Sequence, residues 1–223
     1  MNKSFEATLR EKVEYYMGMH IVRDRESGDL GFDARRHVYS FIWQMGRDPE
    51  SATGVSTPLD HYETYTKEDC HTEVDIKLRG KVWAAHGILI HLSIRARPDL
   101  AHAVSVLGRY VHNPSEKLWT AYDRIAKYLI KTKDIRIWFG SRENKHGQGE
   151  LYAFSDSDWG GSLDDRRSTS AYVFFLGGAA ISWRSLSAVV SRGAWQSLPR
   201  AMSSAECTCA SCRGAWYGKS ADF

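Results

Sequence analysis

The segment from Tyr152 to Ser185 constrains the fold more tightly than any other part of the chain. It opens on Tyr152-Ala-Phe-Ser-Asp-Ser-Asp158. The two-residue period of an extended strand puts Tyr152, Phe154, Asp156 and Asp158 on one side. A second β-rich run from Tyr172 to Leu176 leads into Gly177-Gly178, and a third runs from Ala180 to Ser185. Adjacent glycines between such runs supply the positive φ angles of a tight hairpin turn. The chain is thereby committed to a sheet in this region, with an acidic pair where the first strand runs out.

Upstream the period becomes helical. Apolar residues are dense from Ile76 to Leu92, as in a buried helix. Leu100, Val104, Leu107 and Val111 then recur along one helical face, with Pro98 and Asp99 suited to its first turn. Asn113-Pro114 stops that helix and Ser115 caps the next, whose apolar face is Leu118, Tyr122, Ile125 and Leu129. Lys131 and Lys133 suit its C-terminal end. So short a connection predicts that the two helices pack as an antiparallel hairpin, with Leu107 and Leu129 between them. Residues 135–139 alternate as a strand. Nearer the start, Tyr15 to Val22 reads as one strand, Ser27-Gly28 as a turn, residues 33–45 as a short helix and residues 46–66 as a polar loop. The polar stretch Ser141 to Gly149 marks the best boundary.

With 43% apolar residues in 223, the chain has enough material for a real core. A net charge of +3 permits nucleic-acid binding without demanding it. No apolar run approaches the roughly 18 residues of a membrane span, and the N-terminus lacks a signal-peptide core. The expectation is therefore an intracellular chain, cytoplasmic or nuclear, with no membrane partner. Of four cysteines, Cys207, Cys209 and Cys212 crowd together, but only Cys70 is left as a fourth zinc ligand. His20, His86, His91 and His102 are scattered through the strand and helix faces and read as core-edge residues.

Several motifs in order resemble the copia-type LTR retrotransposon Pol polyproteins. Tyr16-Met-Gly-Met-His-Ile-Val-Arg23 is similar to a strand near the end of that family's reverse transcriptase. Val55-Ser-Thr-Pro-Leu59 resembles its linker, Arg97-Pro-Asp-Leu-Ala-His-Ala-Val-Ser-Val-Leu107 one of its helices, and the stretch from Trp119 to Asp134 the helix after that. The strand motif around Asp156, with Asp164-Asp-Arg-Arg-Ser-Thr-Ser170 and Ile181-Ser-Trp183, resembles the opening of its ribonuclease H domain. The resemblance implies an α+β chain in three parts. Residues 1–66 would be a remnant of the reverse transcriptase C-terminal part, and residues 67–140 a helical thumb- or connection-like block. Residues 150–223 would be an incomplete ribonuclease H-like domain with a truncated mixed sheet. The family's polymerase aspartates follow an aromatic–Val pair, a motif absent from this sequence, so DNA synthesis is not expected.

The same resemblance implies hydrolysis of the RNA strand in an RNA–DNA hybrid, with Mg2+ or Mn2+ as cofactor. That chemistry needs several carboxylates around two cations about 3.5–4 Å apart. The first family ligand corresponds to Asp156. The helix bearing the second corresponds to Met202-Ser-Ser-Ala-Glu-Cys-Thr-Cys-Ala210. Glu206 falls on the first glutamate of that motif, and Thr208 on the second, which the resemblance makes the metal ligand. Glu206 is either a weak ligand candidate or the partner of Ser203 in a capping box. The third ligand, an aspartate on a later strand, has no counterpart before Phe223. Arg166 and Arg167 either contact phosphates of the hybrid or form a solvated pair in the strand connection. Three readings follow: a catalytically incomplete fragment, residual metal-dependent ribonuclease H activity, or a nucleic-acid-binding module without chemistry.

Overall fold

The computed structural model describes residues 13–60, 63–70, 75–140, 151–158 and 162–188. Within them, helices and two antiparallel sheets alternate along the chain in an α+β arrangement. The first sheet has the order β1 (Tyr15–Tyr16), β2 (Met19–Arg23), β3 (Leu30–Asp33) and β4 (Ile137–Phe139). The single strand expected from Tyr15 to Val22 is in fact a hairpin. Met17 and Gly18 both take positive φ, 50° and 81°, between the paired residues Tyr16 and Met19. That is the geometry of a type I′ turn, and it reverses the chain within what reads as one continuous apolar run.

Strand β3 was not foreseen, because four residues with a central glycine carry almost no β signal. Its pairing with β4 depends on that glycine. A Cβ on Gly31 would lie 2.9 Å from the ring of Trp138, its register partner, so the indole covers bare backbone. Asp33 at the end of β3 is 2% exposed. It accepts the Arg35 backbone N–H and Arg136 Nε–H, and lies 3.3 Å from His20 Nδ1. Burial pushes its carboxyl up, but these partners together hold it below the usual carboxylate range. A depressed folded value contributes stability above the unfolded pKa, which is lost as pH falls through the folded one. Acid titration of unfolding is therefore expected to show a loss of stability below about pH 4 that is shallower in Asp33→Asn. Parallel titration curves for the two chains would rule this out.

Among the described residues four helices build the core: α1 (Arg35–Gln44), α2 (Ile76–Arg95), α3 (Ala101–Leu107) and α4 (Glu116–Lys131). Asp75 caps α2 by accepting from Lys77 N and Leu78 N, and Ser115 caps α4 by accepting from Leu118 N. Leu118, Tyr122, Ile125 and Leu129 are all buried, as the spacing requires, together with Phe41, Ile42, Val82, Leu89, Leu100 and Leu107. His86 sits inside this core, its Nδ1 2.9 Å from the Tyr122 hydroxyl, so it is a satisfied core histidine. The expected α3–α4 hairpin is not the main packing. Helix α3 lies chiefly against α2 and the second sheet, while α4 lies against α1. At seven residues, α3 is too short to span α4, and its other face is taken by a strand.

The second sheet is the meander β5 (Leu151–Ser157), β6 (Ser168–Leu176) and β7 (Ala179–Ala188). Its hairpin turn is Gly177-Gly178, with φ of 60° and 79°. A two-residue loop can join only antiparallel strands, so the expectation of a mixed sheet does not hold among the described residues. The sheet docks on the helical body where Trp183 Nε1 donates to the Ser93 carbonyl at 2.5 Å. The two sheets meet where Gly140 N donates to Gly177 O. Among the described residues no helix is long and apolar enough to cross a membrane.

Candidate functional site

The register of the second sheet gathers Tyr152, Phe154 and Asp156 of β5 beside Phe175, Val173 and Ala171 of β6, with Trp183 beyond them. Tyr152 and Phe175 stack with centroids 5.0 Å apart, and Phe154 meets Phe175 edge-on. Phe154 and Phe175 of this face, with Trp183 and the start of α3, border an open groove of about 780 Å3 that has Asp156 and Asp99 among its polar lining. Asp156 is exposed, and its carboxylate accepts the Ser157 N–H at 2.8 Å. Asp158 does different work: it accepts the Thr169 N–H and donates its own N–H to Thr169 O, closing the end of the strand pair. His102 lies across the groove on α3. Burial lowers its pKa, nearby Arg109 lowers it further, and Asp158 opposes both.

Among the described residues no three His, Cys, Asp or Glu side chains come together. Asp156 alone does not fit a pair of divalent cations, each of which takes several oxygen ligands. Glu206, Thr208 and the Cys207–Cys209–Cys212 cluster lie outside the described residues. The loop carrying Arg166 and Arg167 is tied down. Asp164 accepts Lys67 N at 2.9 Å and the Tyr110 hydroxyl at 3.0 Å. Burial, then this carboxylate, pushes the Tyr110 phenol up to about 12. Arg166 turns with a φ of 54° and its N–H donates to Ser162 O. Arg167 pairs with Asp165 inside the loop at 3.0 Å. Both arginines are exposed, but the Arg167 charge is partly answered by its neighbour.

A second surface was not anticipated from the sequence. The outer face of α2 presents Ile76, Gly80, Trp83, Gly87, Ile90 and Ile94, spaced four, three, four, three and four residues apart. All are exposed, Ile94 to 65%. A Cβ placed on Gly80 or Gly87 would meet nothing within 4 Å, so neither glycine is required by packing inside this chain. Each nonetheless costs its helix about 1 kcal/mol relative to alanine. Lys77 and Lys81 are also exposed on α2, one turn apart on a neighbouring strip about 100° or more round the helix from the stripe. Trp83 is held in place, its Nε1 donating to Val111 O at 2.8 Å and the Arg79 guanidinium lying 5.3 Å from its ring centroid. The result is a ridge with an exposed indole, the Arg79 guanidinium against that indole and two gaps where another backbone can come close. The available signal was the pair of mid-helix glycines seven residues apart, which buried-core periodicity does not explain.

No protein-family model matches the chain, and no solved structure does. Among curated proteins, the retrovirus-related Pol polyprotein from transposon TNT 1-94 of Nicotiana tabacum is 31% identical over 188 residues, 83% of this chain and 14% of that protein. The corresponding polyprotein from transposon RE2 of Arabidopsis thaliana is 30% identical over 185 residues, 83% of this chain and 12% of its own length. The protein named secreted RxLR effector protein 161 of Plasmopara viticola is 39% identical over 102 residues, 46% of this chain and 69% of that protein. The chain thus spans a small fraction of the polyproteins it matches. Similarity at this level over most of the chain, to polyproteins of separate plant transposons, places it among the copia-type retrovirus-related Pol polyproteins, to one stretch of which it corresponds.

Proposed function

We propose that this stretch of a Pol polyprotein holds an RNA–DNA hybrid along the outer face of α2 and does not itself hydrolyse the RNA strand. The observation that carries the binding half is the pair of open glycines in line with Trp83 and its Arg79 partner, with Lys77 and Lys81 exposed on the adjoining side of the helix. Lysines supply phosphate contacts whose strength comes from counterion release, the indole offers a flat apolar contact, and bare backbone lets the duplex come near. The absence of cleavage rests on chemistry: Asp156 supplies one carboxylate, and threonine at position 208 has no anionic oxygen to offer a cation. A Mg2+ or Mn2+ pair, where bound, supplies an activated water and stabilises the leaving oxygen.

Two measurements test this. Hybrid binding is expected to weaken with salt, with a log–log slope of about −0.9 for each phosphate contacted in a B-form duplex. The slope should fall by roughly two in the double variant Lys77→Glu, Lys81→Glu. Gly80→Leu should act in opposite directions, raising thermal stability by filling an open helical position while weakening the hybrid. Binding indifferent to both variants would refute the assignment of α2. For the chemistry, a labelled hybrid incubated with Mg2+ or Mn2+ is expected to remain intact. Cleavage abolished by Asp156→Asn would restore the hydrolytic reading.

A further inference from the structure

Where the N-terminal end of α1 meets the first sheet, a cavity of about 310 Å3 is lined by Arg35, Arg36, Arg136, His20, Asp33 and Tyr39, among others. It is rich in cationic side chains. Arg136 is paired with the buried Asp33, whose Oδ1 accepts Arg35 N and Oδ2 Arg136 Nε–H, while Arg35 Nε is buried without a hydrogen-bond partner and Arg36 makes no ion pair among the described residues. Asp134 also pairs with Arg35, at 2.6 Å, but it is 69% exposed and water screens it. The Asp33 contact fixes Arg136, whose guanidinium also lies 5.9 Å from the Trp138 ring centroid. Arg36 is exposed at the mouth, on the same first turn of α1 as Arg35. The first turn of α1 itself has no acidic residue beside Arg35 and Arg36.

We propose that this cavity is a binding site for a phosphomonoester. Guanidinium groups match phosphate oxygens in geometry and charge, and a phosphate group supplies acceptors for the unpartnered Arg35 Nε and a counter-charge for Arg36 at the mouth. The cavity is larger than a phosphate group, so part of the attached nucleoside also fits. A free nucleoside monophosphate and a 5′-phosphorylated strand end carry the same group. The site uses residues other than those of the α2 face, so it does not rest on the hybrid-binding reading.

The test is calorimetric titration of the full chain at fixed ionic strength with AMP, inorganic phosphate, adenosine, a short 5′-phosphorylated oligonucleotide and its unphosphorylated counterpart. AMP is expected to bind and adenosine not to. Inorganic phosphate binding as well would identify the phosphate as the determinant, and binding of the oligonucleotide that exceeds that of its unphosphorylated counterpart and is lost in Arg36→Gln would identify a strand end as the source. Arg36→Gln, on an exposed residue outside the core, should lower AMP affinity at least about tenfold through loss of a charge-assisted contact, with an unchanged melting temperature. Lys77→Glu should leave AMP binding intact. Equal binding of AMP and adenosine, an Arg36→Gln chain that binds AMP like the parent, or an equal loss in Lys77→Glu would each overturn the proposal.

Discussion

Replacing Arg97 with leucine is expected to destabilise the chain by about 3–5 kcal/mol, because it strips a buried charge network of its centre. Arg97 is 1% exposed, yet its guanidinium is fully employed. Nε and Nη2 both donate to Asp99, Nη1 donates to the Thr132 carbonyl at 3.1 Å, and Nη2 also reaches Thr132 Oγ1 at 2.7 Å. The Tyr128 hydroxyl donates to the same Asp99 carboxylate, and the Tyr128 ring lies 5.6 Å from the guanidinium carbon. Burial, then Asp99, raises the Tyr128 pKa. Thr132 is the C-cap of α4, so Arg97 satisfies a helix-end carbonyl that has no intrahelical partner. One arginine thus ties the segment between α2 and α3 to the end of α4. Urea unfolding of Arg97→Leu, Asp99→Asn and the double variant would measure the coupling, and the double variant should cost clearly less than the two single losses added. A loss under 1 kcal/mol in Arg97→Leu would show that the network is ornamental to stability.

Truncating Leu129 to alanine should cost about 2–5 kcal/mol, and Leu107 to alanine a similar amount. Both side chains are fully buried in one core, but their neighbours differ. Leu129 belongs to α4, which packs against α1. Leu107 belongs to α3, which lies between α2 and β7. The Leu107 cavity should therefore also loosen the second sheet, seen as faster amide exchange in β6 and β7, while the Leu129 cavity should act mainly on α1. Asp156→Asn, on an exposed residue at a strand end, should shift stability by no more than about 0.5 kcal/mol. If neither leucine change lowers the melting temperature of the full chain, the assignment of these faces to the core is wrong.

Arg97-Pro-Asp99 shows how far residue patterns carry. The motif pointed to a family and to a helix start, and Pro98 does open a short 3-10 turn that runs into α3. That the arginine is a buried clamp on α4 was not legible, since its acceptors lie on Asp99 next door and on Thr132, thirty-five residues away. Asp156 is the reverse case. Its place at the end of β5 followed from alternation alone, but alternation does not say what else comes near it, and the described residues bring no carboxylate cluster to it. The α2 face was overlooked because periodicity searches for what is buried. Gly80 and Gly87 are conspicuous only once the helix is seen to leave them facing open space.

Local chemistry determined the helices and the second sheet. Apolar spacing, the caps at Asp75 and Ser115, and the glycine pair at 177–178 act within a few residues of one another, so the sequence by itself specifies those elements. It also determined membership of the family, because ordered motifs survive where individual contacts change. Tertiary structure alone decided that β3 exists, that α3 sides with α2 and β7 rather than α4, and that three arginines from α1 and the segment before β4 surround one cavity. Each of those outcomes depends on partners far apart in the chain: Gly31 on Trp138, Ser93 on Trp183, Asp33 on Arg136. Such contacts follow from how the elements fill space together, and no short stretch of residues contains that information.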